Sequence, residues 1–249
     1  MVSFNLFLSS EAATAAVPTF GENVAAYFQS MFKKVGEISL PMWIVLIALV
    51  ALGMVLLTLG SKKQKWNATT IAYAALAIAL SFLLSNVRLY RMPQGGSITA
   101  VSMLPLMLFS YTFGIIPGLL TGTAYGVLQF LQTPSMLPIA PLYAICQIIL
   151  DYILAFGCMG LAGMFGKSQK DDRIYLPSGI AVASALRFVC SVLSGVLFFA
   201  EYAGNQNPWI YSALYNGSYM LPELILTAVV GAFIGPRLCR VLRRNATIR

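Results

Sequence analysis

The chain has 249 residues, 59% of them hydrophobic and 10% charged, with a formal net charge of +8 and a mean hydropathy of +0.79. Soluble domains carry about 25% charged residues, so this composition excludes an ordinary water-soluble globule and marks an integral membrane protein. The sequence has no histidine, which removes the usual proton shuttle, the Ser–His and Cys–His nucleophile pairs and the commonest metal ligand.

Residues 1–40 are mixed. The first twenty lack a basic leader and a long apolar run, so a cleaved signal peptide is not expected. Val24, Tyr27, Phe28, Met31 and Phe32 then recur at helical spacing and fit an interfacial amphipathic helix. Residues 41–60 (PMWIVLIALVALGMVLLTLG) are the first clear span, matching the ~20 apolar residues a bilayer crossing needs. Gly60 and Lys62, Lys63 and Lys65 stop it. Asn67 or Thr69 is placed to cap a helix over 70–86 through a side-chain oxygen.

The polar stretch 88–97, with Pro93 and the Gly95-Gly96 pair, reads as a flexible loop. Residues 98–113 form a shorter apolar segment that Pro105 breaks. In 114–131, Gly118, Gly122 and Gly126 recur every four residues, which puts small residues on one helix face where another backbone can come close. Residues 140–165, 174–200 and 215–238 are the remaining spans. Cys146, Cys158, Cys190 and Cys239 lie singly, without the spacing of a zinc site or a disulfide framework, and read as small buried hydrophobes. Gly166-Lys167-Ser168 resembles the end of a phosphate loop, but position 161 is Leu161 instead of glycine, and the stretch follows a membrane helix instead of a strand.

The charges sort by side. The stretch 61–68 holds three lysines, 166–173 two lysines and an arginine, and the tail five arginines, so eleven of the sixteen basic residues share one side if the spans alternate. The positive-inside rule makes that side, with the C-terminus, cytoplasmic. The basic excess therefore reflects a lipid bilayer and gives no reason to expect nucleic acid. Three ionisable residues remain within apolar spans: Asp151, Arg187 and Glu223. Inserting a carboxylate near the middle of a span costs at least ~2.5 kcal/mol, so such groups are kept for a partner charge or a ligand. Either Asp151 or Glu223 pairs with Arg187 and ties helices together, or Asp151 serves a cation. The ring- and amide-rich segment 198–216, with Phe199, Tyr202, Trp209, Tyr211, Tyr215 and Asn216, favours the second: aromatic faces attract a flat cationic ring.

GGSITAVSMLP at 95–105, the Asp151-Tyr152 pair, RFVCSVLSGVLFFAEYA at 187–203 and YSALYNGSY at 211–219 resemble the thiamine-specific substrate-binding (S) components of energy-coupling factor (ECF) transporters, the ThiT family, over roughly residues 68–240. The resemblance implies an all-α integral membrane fold: a six-helix bundle over 68–249, preceded by an extension, 1–67, with one added transmembrane helix at 41–60. It implies a vitamin-binding subunit of the bacterial plasma membrane and no enzyme, catalytic residue, metal or cofactor. Thiamine would enter from outside beneath the loop 88–97, and partner chains (a shared ECF transmembrane subunit and two ATPase subunits) would drive its release. By position the ligand set falls on Asp151, Tyr152, Tyr211 and Asn216. Ser191 stands where the family has a histidine and Phe199 where it has a tryptophan; a tryptophan of the covering loop has no counterpart beside Gly95 and Gly96. An A-x-x-x-A docking face falls on Ala75 and Ala79. Two alternatives stay open: another small ring ligand such as a thiamine precursor, and a non-transport membrane scaffold in which Asp151–Arg187 is only structural.

Overall fold

A computed structural model describes residues 67–93, 95–132, 141–166 and 171–247. The expected helices within 1–66, including the span at 41–60, lie outside them. Among the described residues there are six helices, a single 3-10 turn at Ala200–Ala203 and one short hairpin. Four of these helices are long and apolar enough to cross a membrane, and the fold is that of a multi-pass helical membrane protein.

Helix α1 (Ala68–Asn86) is capped by Asn67, whose Oδ1 accepts from the Thr70 backbone N–H at 2.8 Å and from the Thr70 hydroxyl at 2.7 Å. The stretch expected to be a flexible loop is instead a hairpin, with β1 (Arg88–Arg91) antiparallel to β2 (Ser97–Thr99). Gly95 and Gly96, at φ +102° and +81°, make the reversal that an L side chain disfavours. Residues 98–103 continue this hairpin and its exit turn, so the next helix begins only at Leu104. Pro105 does not break helix α2 (Leu104–Phe113) but sits in its first turn, where a missing N–H costs nothing. Helices α3 (Ile115–Gln132), α4 (141–165), α5 (Asp172–Phe198) and α6 (Pro208–Thr247) follow, α6 well beyond the expected 215–238.

Helix α2, at 10 residues too short to cross, is buried on nearly every side and forms the centre of the core with Leu106, Met107, Phe109 and Tyr111. The four-residue glycine repeat of α3 meets α4 backbone to backbone. A Cβ on Gly122 would lie 2.4 Å from the Phe156 carbonyl oxygen, and one on Gly126 2.4 Å from that of Tyr152. Helix α4 is therefore held at a distance only glycine permits. At its other end, the Ser110 hydroxyl of α2 donates to the Gly160 carbonyl and accepts from the Gly163 N–H at 3.0 Å.

One knot closes the basic end. Arg243 of α6 makes a two-pronged ion pair with Asp172 at 3.0–3.1 Å and stacks over the Tyr111 ring at 5.4 Å, while the Tyr111 hydroxyl donates to Asp172 at 3.0 Å. Bonds to charged groups contribute about 1.5–3 kcal/mol each, so Arg243→Ala is expected to destabilise the protein by about 2 kcal/mol. A Tm in detergent unchanged from that of the parent would refute that role for Arg243.

Candidate functional site

Asp151 lies where α4 departs from α-helical geometry. Residues Pro141–Ile148 are α-helical, Ile149–Leu154 form a π-helical turn, and Cys158–Phe165 tighten to 3-10 geometry. Such π insertions are frequent at functional sites, where they re-aim a side chain without ending the helix. Here Tyr152 and Phe156 keep their backbones against the glycine stripe of α3, while Asp151 faces α5, flanked by Ser194 and Gln147.

The carboxylate opens on a cavity of about 120 Å³. Ser191 and Ser194 of α5, with Phe199 just past its C-terminal end, line one wall, and Tyr211, Tyr215 and Asn216 of α6 another. Close approach of these helices depends on Gly195, whose Cβ would lie 2.1 Å from the Ser212 hydroxyl. The buried Asn216 amide is largely committed to protein: its NH2 donates to the carbonyls of Ser212 at 3.0 Å and Ser191 at 3.3 Å, and its oxygen accepts from the Tyr219 hydroxyl at 2.8 Å. One oxygen lone pair is left for a ligand. Tyr211 and Tyr215 stack at 6.1 Å and 22° between planes, an aromatic surface beside the carboxylate.

The hairpin roofs the cavity through Gly95 and Gly96, and α6 holds it at three points four residues apart. Tyr215 donates its hydroxyl to the Gly95 carbonyl at 2.8 Å, and the Tyr219 ring packs under Gly96 so closely that a Cβ there would lie 2.7 Å away. Glu223 accepts from the Thr99 hydroxyl at 2.5 Å. The other Glu223 oxygen pairs with Arg187 at 3.4 Å, and the Arg187 guanidinium lies 5.0 Å over the Phe156 ring. Of the two pairings open to Arg187, the structure contains the one with Glu223. Asp151 makes no ion pair among the described residues.

Five of the six expected ligand residues (Asp151, Ser191, Phe199, Tyr211 and Asn216) are thus brought to one cavity. Tyr152 does not line it. On a helix the neighbour of Asp151 points about 100° away, and Tyr152 is buried edge-on against Phe130 at 5.3 Å. Sequence reasoning missed the roof contacts of Tyr219 and Glu223, although the spacing 211, 215, 219, 223 already puts all four on one helix face. On α1, Ala72, Ala75 and Ala79 are exposed and do not serve packing within the described bundle.

The fold and cavity define a multi-pass membrane protein with a polar, aromatic-walled pocket whose carboxylate makes no ion pair among the described residues. The family model described as thiamine transporter protein matches residues 71–242, and the chain belongs to that family. Thiamine transporter ThiT of Bacillus subtilis (strain 168) is 32% identical over 188 residues, covering 69% of this chain and 91% of the relative. ThiT of Lacticaseibacillus paracasei is 27% identical over 179 residues, covering 65% and 82%. A solved structure of ThiT from Listeria monocytogenes superposes with a TM-score of 0.59 at 21% identity, over 70% of this chain and 96% of that one, a likeness of fold.

Proposed function

We propose that the chain binds thiamine from outside the cell and delivers it as the substrate-binding subunit of an ECF importer. The observation that carries this reading is the Asp151 carboxylate, which faces an aromatic cavity with no basic partner among the described residues in a member of the thiamine transporter family. Thiamine joins a thiazolium cation to an aminopyrimidine. Asp151 would hold the cation or the amino group, Phe199, Tyr211 and Tyr215 would stack on the rings, and Ser191 and Asn216 would supply hydrogen bonds. Cation–π contacts contribute ~0.5–2 kcal/mol each when partly desolvated, so a few of them with one charged bond suffice for tight binding. Titrating detergent-purified protein with thiamine and following Tyr/Trp fluorescence tests this. Saturable quenching is expected, and its absence would remove the assignment.

A single-ring thiamine precursor is the second reading. It is favoured by the cavity volume of about 120 Å³, below the ~300–1,000 Å³ of most ligand pockets, and by Ser191 and Phe199 replacing the larger family side chains. Tighter quenching by hydroxymethylpyrimidine than by thiamine would select it.

Delivery requires partners, a shared transmembrane subunit and two ATPase subunits, with the basic C-terminal end in the cytoplasm. The exposed Ala75 and Ala79 of α1 suit a close helix–helix contact with such a transmembrane subunit. Ala75→Trp should leave thiamine affinity intact and abolish uptake in cells. Normal uptake would rule out that docking face.

A further inference from the structure

The basic end of the bundle carries a second cleft, far along α6 from the aromatic cavity. It measures about 360 Å³ and is lined by Arg173 from the first turn of α5 and by Ala232, Phe233, Pro236, Arg237 and Arg240 of α6. Residues 233, 236, 237 and 240 share one face of α6 through their three- and four-residue spacing. The Arg240 side chain folds back so that Nε donates to the Pro236 carbonyl at 3.2 Å.

Among the described residues, none of these three arginines pairs with a carboxylate. Asp172 is occupied by Arg243, and Asp171 caps α5 by accepting from the Arg173 backbone N–H at 2.9 Å. Three like charges sharing a cleft repel one another, and an anion between them turns that repulsion into attraction. Guanidinium groups match the geometry of phosphate oxygens in particular.

The neighbouring surface narrows the anion further. Phe233 is 78% exposed, and Val229 and Ile225, one and two turns back along α6, are exposed as well. The arginines therefore sit at the end of an apolar strip that runs towards the middle of the span. In the bilayer this strip already lies against acyl chains, so a phosphate carried on such a chain is at hand beside the arginines, whereas an acidic peptide would have to enter the hydrocarbon region to reach the same surface. A phosphate joined to an acyl chain fits both parts at once. We propose that Arg173, Arg237 and Arg240 form a binding site for the phosphate headgroup of an anionic phospholipid, with its acyl chain along Phe233 and Val229.

The test measures retention of phosphatidylglycerol and phosphatidylcholine by the full-length detergent-purified protein, using native mass spectrometry. Wild-type protein should retain phosphatidylglycerol in preference to phosphatidylcholine. Each basic residue near an anionic lipid contributes about fivefold, so the R237Q/R240Q variant should lose about 25-fold of that preference. R244Q removes a charge from the same helix end outside the cleft and should keep it. Should the double variant fold poorly in phosphatidylcholine, R173Q alone gives the same readout at about fivefold. Equal retention of the two lipids by wild type, or an R244Q loss matching that of R237Q/R240Q, would overturn the site. Displacement by inorganic phosphate, with no preference for phosphatidylglycerol, would overturn the lipid assignment.

Discussion

Asp151→Asn is expected to weaken thiamine binding by about 30-fold or more, because losing one member of a desolvated charge pair costs about 2–5 kcal/mol. The same change should not harm the unliganded protein. An ionised carboxylate within a span costs at least ~2.5 kcal/mol to insert, and Asp151 recovers none of it from an ion pair among the described residues. The Tm without ligand should therefore hold or rise, while the thiamine-induced increase in Tm shrinks. A scaffold role for Asp151 makes the opposite demand: the variant would lose stability with or without ligand. Differential scanning fluorimetry with and without thiamine separates the two.

Glu223→Ala should be the most damaging single substitution among the intramembrane charges. It leaves Arg187 without its acid and Thr99 without its acceptor. Breaking a buried pair from one side costs about 3–5 kcal/mol, a large fraction of the stability of most proteins. Replacing both charges, as in R187M/E223L, should restore much of the fold, since apolar pairs of similar size often match buried ion pairs. It should not restore the roof, because Thr99 still lacks its anchor. The double variant is therefore expected to fold, yet to exchange the backbone amides of 95–99 faster and to release thiamine faster. Amide exchange at 95–99 matching that of the parent would show that Glu223 does not hold the hairpin.

Much of the cavity was legible because the membrane makes ionisable residues conspicuous. Asp151, Arg187 and Glu223 stand out from apolar runs, and a ring-rich segment joins the helices of Arg187 and Glu223. Their pairing was not legible: whether Arg187 meets Asp151 or Glu223 depends on the rotation of α4, which a π turn sets. The glycine stripe of α3 was readable as a close-approach face, but its partner was not. The hairpin escaped notice because strands of four and three residues in a polar stretch carry almost no periodicity. Tyr152 shows the limit of adjacency in sequence, since its neighbour serves the cavity while it serves the core.

The π turn at Ile149–Leu154 has a consequence for how this pocket changes over time. A turn of that kind absorbs one residue more than an ordinary α-helical path, leaving the helix on either side in phase while it re-aims the side chains inside the turn. Deleting a single codon there would leave a continuous, equally apolar helix, yet would swing the acidic side chain out of register with the tyrosines of α6. A change of ligand, or loss of binding altogether, is thus one deletion away without any substitution in the pocket.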